Sequence, residues 1–370
     1  MKHFTVLLLL VAGLMTSYAQ QRLPEPENPR QMVILLANPT VGNIETIRFL
    51  VKNSIFKVKG DNTIFWGFYH KNQAYDFTRS KKHIEEQHLN QFRLYELTGD
   101  LPDGEVFREN SCSSAFLELF RISAGVIFFG GPDIQPDLYG EENTHSIVTD
   151  PARHAMETSF LFHLLGSTRN PSFVPFLKEK PEYLVTGFCL GLQTMNVATG
   201  GTLVQDIPFQ LYGKNTPQEI VTIDRNNLHR NYWQEFNNDT LLMGINLHTI
   251  DFTDHPFFSQ RVKVSKMLQP RVYSSHHQSI ENLGQGFAVT ALSPDGKIIE
   301  GIAHREYPHV FAVQFHPEVP ALYRNREAWK FEPTDTPGTY HRLIGPESVR
   351  FHKKYWKQIA EGLRKSWKKQ

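Results

Sequence analysis

The chain has 370 residues, 39 Lys+Arg against 38 Asp+Glu and a formal net charge of +1; 40% of it is hydrophobic and 21% charged. That balance excludes a binder of nucleic acid or anionic membrane that works through net charge, and it is ordinary for a soluble globular protein. The length gives one large domain or two small ones ample chain for a core.

The N-terminal stretch MKHFTVLLLLVAGLMTSYAQQ has a short basic start, an apolar run from Phe4 to Leu14, and small residues at Ser17 and Ala19 that suit cleavage after Ala19. Residues 1–19 therefore read as a signal peptide; an N-terminal anchor or a core strand is the other reading. The apolar run is shorter than the ~20 residues of a membrane span. No cysteine follows the cleavage site to carry a lipid, and no later apolar run is long enough to cross a bilayer. The expectation is an exported protein, periplasmic or extracellular, without stable membrane insertion. Residues 20–30, Pro-rich and polar, read as a leader.

QMVILLAN (31–38) is a short apolar run ended by Asn-Pro, a buried strand. Residues 41–51 suit a helix, NTIFWGFY (62–69) a second strand, 71–87 a polar surface helix, and FRLYELTGD (92–100) a third strand. SSAFLELFRIS (113–123) opens with serines that suit an N-cap and carries apolar residues at helical spacing. GVIFFGGPD (125–133) is a buried strand entering a double glycine. Residues 158–165 read as helix and 182–188 as the next strand. This alternation predicts a layered α/β fold with a mostly parallel sheet. Beyond Gly201 the pieces shorten. EIVTI (219–223), HTIDF (248–252), KVSKML (263–268), GFAVTALS (286–293), KIIEGIAH (297–304) and HVFAVQF (309–315) read as strands of hairpins that extend the sheet. Residues 331–370 end in a Lys- and Trp-rich amphipathic segment, a terminal helix packed on the body.

EYLVTGFCLGLQTMNVATGG (182–201) holds Cys189, one of two cysteines in the chain. A strand that ends in Gly-x-Cys-x-Gly and turns at once into a helix is a nucleophile elbow. Gly187 and Gly191 permit the tight turn, and the thiol is held above the carboxyl end of the strand. The following helix's dipole favours the thiolate, and the N–H of Leu190 points where an oxyanion develops. The motif alone leaves open a small buried cysteine, and an exported chain with two cysteines leaves open a Cys112–Cys189 disulfide. A thiol nucleophile needs a base. Among 17 histidines, VFAVQFHPE (310–318) supplies one. His316 follows the strand Phe311–Phe315, Pro317 stops that strand at a sheet edge, and Glu318 can fold back to fix the tautomer that turns Nε2 to the thiol. Taken alone, these residues suit a strand-end histidine with a solvated glutamate better.

GFCLGLQ followed by QFHPE, with GGPD upstream, resembles the class I glutamine amidotransferase superfamily. GGPDIQPDLYGEE (130–142), NVATGGTLVQDIP (196–208) and SSHHQSIENLGQGFAVTALSPDG (274–296) make the chain similar to the γ-glutamyl-γ-aminobutyrate hydrolase group of C26-type peptidases, over roughly 31–318. The resemblance implies a three-layer α/β/α sandwich, flavodoxin-like, with a central mostly parallel sheet and β-hairpin extensions. It implies Cys189 as nucleophile, His316 as general base and then acid, and Glu318 as its orienting partner. It implies backbone N–H groups of Gly131 and Leu190 as oxyanion donors, and Gln193, Ser275, His276 and His277 around a glutamyl head. Neither a cofactor nor a metal is implied. Read from the residues, His276-His277 could equally be a metal pair, but no Cys, Asp or Glu stands at ligand spacing beside it. Asp150, Arg153 and Glu157 are similar to an acidic and arginine stretch of the hydrolase group; a capped surface helix with i, i+4 pairing explains them as well. Family members often carry Arg where this chain has Leu190. Cys112 reads as a free structural thiol.

The expected organisation is a hydrolase domain over 31–330, with a poorly matching insert at 209–258 that is a lid, a specificity element or a surface elaboration, and a C-terminal helical extension over 331–370. The implied reaction is hydrolysis of a γ-glutamyl amide in a small-molecule substrate through a glutamyl thioester. No nucleic-acid partner is expected, and a homodimer is left open. Two other readings stand beside this one. A glutaminase subunit would pass ammonia to a synthase, for which neither a synthase motif nor an exported location provides. A non-catalytic binder of glutamyl compounds would be marked by a broken triad. The leaving group (ammonia, aminobutyrate, a peptide or a polyglutamate) is not readable from the sequence.

Overall fold

The computed structural model describes residues 31–59 and 62–368; the expected signal peptide and leader fall outside them. The first half is built as β1 (Met32–Ala37), α1 (Val41–Lys52), β2 (Thr63–His70), α2 (Thr78–Glu86), β3 (Phe92–Leu97), α3 (Ser113–Ile122), β4 (Gly125–Phe128), α4 (Pro151–Leu165), β5 (Leu184–Phe188) and α5 (Leu190–Ala198). The strands pair in parallel in the order β3-β2-β1-β4-β5. Every residue of β1 is buried, as a parallel strand covered on both faces requires. Its side chains alternate between two cores. Val33 and Leu35 join Phe160 and Met195 on the face covered by α3, α4 and α5. Ile34 and Leu36 join Ile44 and Trp356 on the opposite face. Helix, sheet and helix thus form the three layers.

The second half adds β6 (Leu203–Val204), α6 (Ile207–Tyr212), α7 (Pro217–Ile220), β7 (Asn246–Thr249), β8 (Asp251–Phe252), β9 (Arg271–Ser274), β10 (Ser279–Ile280), β11 (Phe287–Leu292), β12 (Ile299–His304) and β13 (Val310–Val313). β13 pairs in parallel with β5, and β12, β11 and β8 continue the nine-stranded sheet antiparallel. β7 and β9 form a separate antiparallel pair, as do β6 and β10. The chain ends in α8 (Tyr340–Lys368), kinked at Gly345 (φ 77), which buries Tyr355, Trp356, Ile359 and Leu363 against the sheet.

Several local expectations are corrected. EIVTI is no strand: Thr216 and Glu219 form a capping box around Pro217, so the chain turns into α7. KVSKML follows a π-helical turn, Phe257–Val262, which ends with Lys263 left-handed (φ 61), and joins no ladder. The polar segment after His70 becomes helical only at Thr78. The Ser113 hydroxyl caps nothing in α3; it accepts from Asn110 N (2.7 Å) and meets His163 Nε2 (2.7 Å). β13 lies inside the sheet between β5 and β12, not at an edge, and its strand stops at Val313, before Pro317.

Candidate active site

Three neighbouring strands, β4, β5 and β13, deliver their carboxyl ends to one place, where open α/β sheets bind ligands. β5 ends at Cys189, whose φ of 52° and ψ of −107° place a non-glycine residue in a strained conformation. The surroundings fix it there. Its N–H donates to Val313 O (3.0 Å), and its carbonyl accepts from Leu192 N (3.0 Å) and Gln193 N (3.2 Å). The turn closes only with glycine on both sides. A Cβ on Gly187 would sit 2.6 Å from Gly191 C, and one on Gly191 would sit 2.5 Å from Phe128 O. Leu190 opens α5, and a first-turn N–H has no intrahelical acceptor, so it is free to face an anion.

β13 delivers His316. Its N–H donates to Tyr273 O (2.9 Å), the Tyr273 ring stands perpendicular to it at 5.8 Å, and Nδ1 lies 2.7 Å from Glu318 Oε1. Burial alone would lower the imidazole's pKa. The charges of Glu318 and of the facing Cys189 sulfur, with hydrogen bonds to both, outweigh it and hold the pKa well above the usual value. The loop between His316 and Glu318 is clamped: the Pro317 carbonyl accepts from Tyr323 OH (2.6 Å) and from Trp356 Nε1 (2.9 Å).

β4 leads to Gly130, which packs under the pair. A Cβ there would sit 2.5 Å from His316 Cε1 and 3.5 Å from Cys189 Cβ, so one point touches both side chains. The adjoining Gly131 is exposed. Arg153 of α4 holds this loop from behind, donating through Nη2 to Phe129 O (2.9 Å) and Gly130 O (3.1 Å) and through Nε to Glu157 Oε1 (2.7 Å). Asp150 caps α4 through Arg153 N (3.1 Å). The capped helix and the i, i+4 pair are thus present, but not on the surface. The Arg153 and Glu157 side chains are 4% and 1% exposed, and burial raises the Glu157 pKa against the Arg153 charge.

The expected glutamyl pocket residues diverge. Gln193 is buried and donates to Gln278 O (3.1 Å) and Gln314 Oε1 (3.4 Å). Ser275 is exposed. His276 turns inward, with Nδ1 on Gln278 O (2.8 Å) and its ring 4.9 Å from that of His229. His277 bridges two acids that sequence spacing did not bring near: Nε2 lies 2.8 Å from Asp133 Oδ2 and Nδ1 3.0 Å from Asp206 Oδ2. Burial opposes its charge, but the two aspartates prevail and lift its pKa to about 9. It therefore anchors the Asp133 loop as an imidazolium. Cys112 and Cys189 are both free, and burial pushes the Cys112 thiol up to about 11. A cavity of about 300 Å³ begins at Val319, next to Glu318, and is lined by Arg324, Arg326, Trp329 and Tyr340 among others.

A thiol at a strained strand end, a histidine with elevated basicity and a glycine loop beside the first turn of a helix together suit acyl transfer through a thioester. The Peptidase C26 family profile matches residues 111–318, more than half of the chain, with Cys189, His316 and Glu318 inside it. The chain belongs to the Peptidase C26 family. Within it, this C26 protein is 32% identical over 199 residues to the glutamine amidotransferase-like protein YvdE of Lactococcus lactis, covering 52% of this chain and 65%, just under two thirds, of that one. It is 28% identical over 228 residues to the glutamine amidotransferase-like protein RP404 of Rickettsia prowazekii, covering 56% and 74%. The crystal structure of a GMP synthase component from Thermoplasma acidophilum aligns at a TM-score of 0.42 and 11% identity over 92% of this chain and 98% of that one; the sheet order, not this alignment, carries the fold. Membership of the family suggests hydrolase or amidotransferase chemistry.

Proposed function

We propose that the protein hydrolyses γ-glutamyl amide bonds through Cys189. The observation that carries this reading is the strained Cys189 elbow facing a His316 that is tied to Glu318. The Cys189 thiolate adds to the γ-carbonyl carbon, and the Leu190 and Gly131 N–H groups receive the oxyanion. The C–N bond then breaks as His316 gives its proton to the departing amine, leaving a glutamyl thioester. Water, deprotonated by His316, attacks the thioester, releases glutamate and restores the thiol. Glu318 holds the imidazole in register throughout.

For the leaving group we propose the cavity at Val319. Arg324 and Arg326, with Glu327 beside them, line it, and the two guanidiniums suit an amine that carries its own carboxylate, such as an amino acid or aminobutyrate. The test is release of free glutamate from glutamine, γ-glutamyl-aminobutyrate, γ-glutamyl dipeptides and a polyglutamate under reducing conditions, with Cys189→Ala as control. Cys189-dependent release is expected, strongest for carboxylate-bearing leaving groups. Release confined to glutamine would instead support the glutaminase reading that the relatives' names suggest, and no release at all would end the hydrolase reading. Export is proposed on the pattern of residues 1–19. N-terminal sequencing of protein from the exported fraction should begin at Gln20, and an intact Met1 there would rule it out.

A further inference from the structure

Behind the candidate active site, His229, His248 and Glu300 converge in the interior, 3%, 0% and 0% exposed. They come from three separate places: the loop that precedes β7, strand β7 itself, and strand β12 of the central sheet. One ligand atom from each lies within 4.8 Å of the others. His229 Nδ1 stands 3.1 Å from Glu300 Oε1, and His248 Nε2 stands 3.8 Å from the same oxygen. Yet across the shorter gap neither atom is aligned for a hydrogen bond, and both nitrogens of His229 and both oxygens of Glu300 lack a partner. Buried polar atoms are rarely left so.

We infer that His229, His248 and Glu300 bind one divalent transition-metal ion, zinc foremost. Two imidazoles and a carboxylate are a zinc donor set, and bonds of ~2.0–2.1 Å in a tetrahedron put ligand atoms about 3.4 Å apart, between the two separations seen. His248 is already oriented for the task. Its Nδ1 lies 2.9 Å from Thr249 O, and the tautomer that donates there leaves the Nε2 lone pair facing Glu300. Ser274 Oγ, 2.7 Å from that nitrogen, donates to this lone pair, and the ion takes the place of that hydrogen bond. The His276-His277 pair is not this site: His277 is taken up by Asp133 and Asp206, and His276 packs on the far ring of the cluster.

The ion is structural, and no step at Cys189 runs through it. It ties the segment around β7 to β12. From there the backbone reaches the thiol's surroundings in two short links: His276 N donates to His229 O (3.1 Å), and Gln314 N donates to Glu300 O (2.9 Å). Gln314 is two residues before His316, and the chain around His276 meets Gln193. Losing the ion should therefore loosen both the inserted segment and the floor of the substrate site.

The test uses the full chain, stripped with dipicolinate, dialysed, and reloaded with Zn²⁺ or Co²⁺. We expect one equivalent of metal per chain by elemental analysis, tetrahedral ligand-field bands with Co²⁺, and a Tm about 5 °C higher than the stripped form at saturating Zn²⁺. His248→Ala and Glu300→Gln should lose the bands and the Tm response. If either variant fails to fold, the stripped and reloaded wild type still decides. Substoichiometric metal with no Tm change and no Co²⁺ bands would overturn the inference. So would equal binding by the two variants, which would place the ion elsewhere. Neither result touches the thiol chemistry, which is read separately through Cys189.

Discussion

Two histidine–glutamate pairs, His316–Glu318 and His229–Glu300, behave oppositely. In His316–Glu318 the partners are two residues apart, joined by an aligned contact of 2.7 Å, and the imidazole's pKa is driven well above its usual value. In His229–Glu300 the partners come from distant segments, approach to 3.1 Å without alignment, and both are driven towards neutrality: burial pushes His229 down to about 3 and Glu300 up to about 7. Residue types are the same, but the first pair keeps 15% and 10% of its side-chain surface exposed against 1% and 0% for the second. A clamped loop also orients the first pair, whereas the second meets across distant segments. Charge survives burial only where alignment compensates desolvation.

The strongest way to break this contrast is to remove the aligned carboxylate. Glu318→Gln keeps the shape but not the charge. We expect kcat to fall by about 10²–10⁴-fold, on the scale of the loss when a triad acid is replaced by its amide. The sign of the pH effect follows from the raised pKa of His316. A raised folded-state pKa gives stability that is complete below the unfolded value and is lost as pH rises through the folded one. With the amide in place of the carboxylate that folded value drops, so both the alkaline limb of kcat/KM and the alkaline loss of stability should move to lower pH. Profiles that superimpose on wild type would mean Glu318 does not set the imidazole's charge.

A second break separates pairing from position. Arg153 and Glu157 are nearly sealed, and Arg153 also carries the Phe129 and Gly130 carbonyls. Arg153→Met should cost about 3–5 kcal/mol in urea unfolding, because one buried partner is left uncompensated. Activity should fall as well, since the loop beside Cys189 loses its support. Adding Glu157→Leu should restore much of the stability but not the activity. Recovery of both would make Arg153 a purely structural residue.

The contrast also marks what the sequence could tell. The Cys189 turn and the His316–Glu318 contact were legible because each lies within a few residues of a strand end, where Gly187, Gly191 and Pro317 punctuate the chain. The parallel half was legible for the same reason: its strands are continuous apolar runs, and β1 is buried on both faces. The second half was not. EIVTI has strand-like composition, but the Thr216 capping box and Pro217 prevail over it. His277 gave no hint of Asp133 and Asp206, and Glu300 gave none of His229, because those contacts join residues far apart in the chain. Arg153 and Glu157 showed their helical spacing, but spacing says nothing of burial.

A smaller effect probes the cavity at Val319. Arg326 is exposed at its rim, so its loss should leave the fold unchanged. Arg326→Ala should raise KM several-fold for substrates whose leaving amine carries a carboxylate, since an exposed charge contact is worth about 1 kcal/mol or less. Glutamine hydrolysis should be unaffected. A uniform change across the substrate panel would remove Arg326 from leaving-group recognition.

The smallest expected effect tests the clamp itself. Trp356 lies on α8, far along the chain from His316, yet its Nε1 donates to Pro317 O, the carbonyl between His316 and Glu318. Trp356→Phe removes the donor and preserves most of the buried ring. Loss of one such bond costs about 1 kcal/mol, and Tyr323 OH still holds the same carbonyl, so the loop should stay in place and kcat should change less than twofold. Removing both donors, with Trp356→Phe and Tyr323→Phe together, leaves a carbonyl with no donor in the loop that orients Glu318. The double variant should then lose more kcat than the two single losses multiplied. If the losses simply multiply, the His316–Glu318 alignment is set by the backbone turn alone, and the contrast with His229–Glu300 reduces to sequence distance rather than to a supported loop.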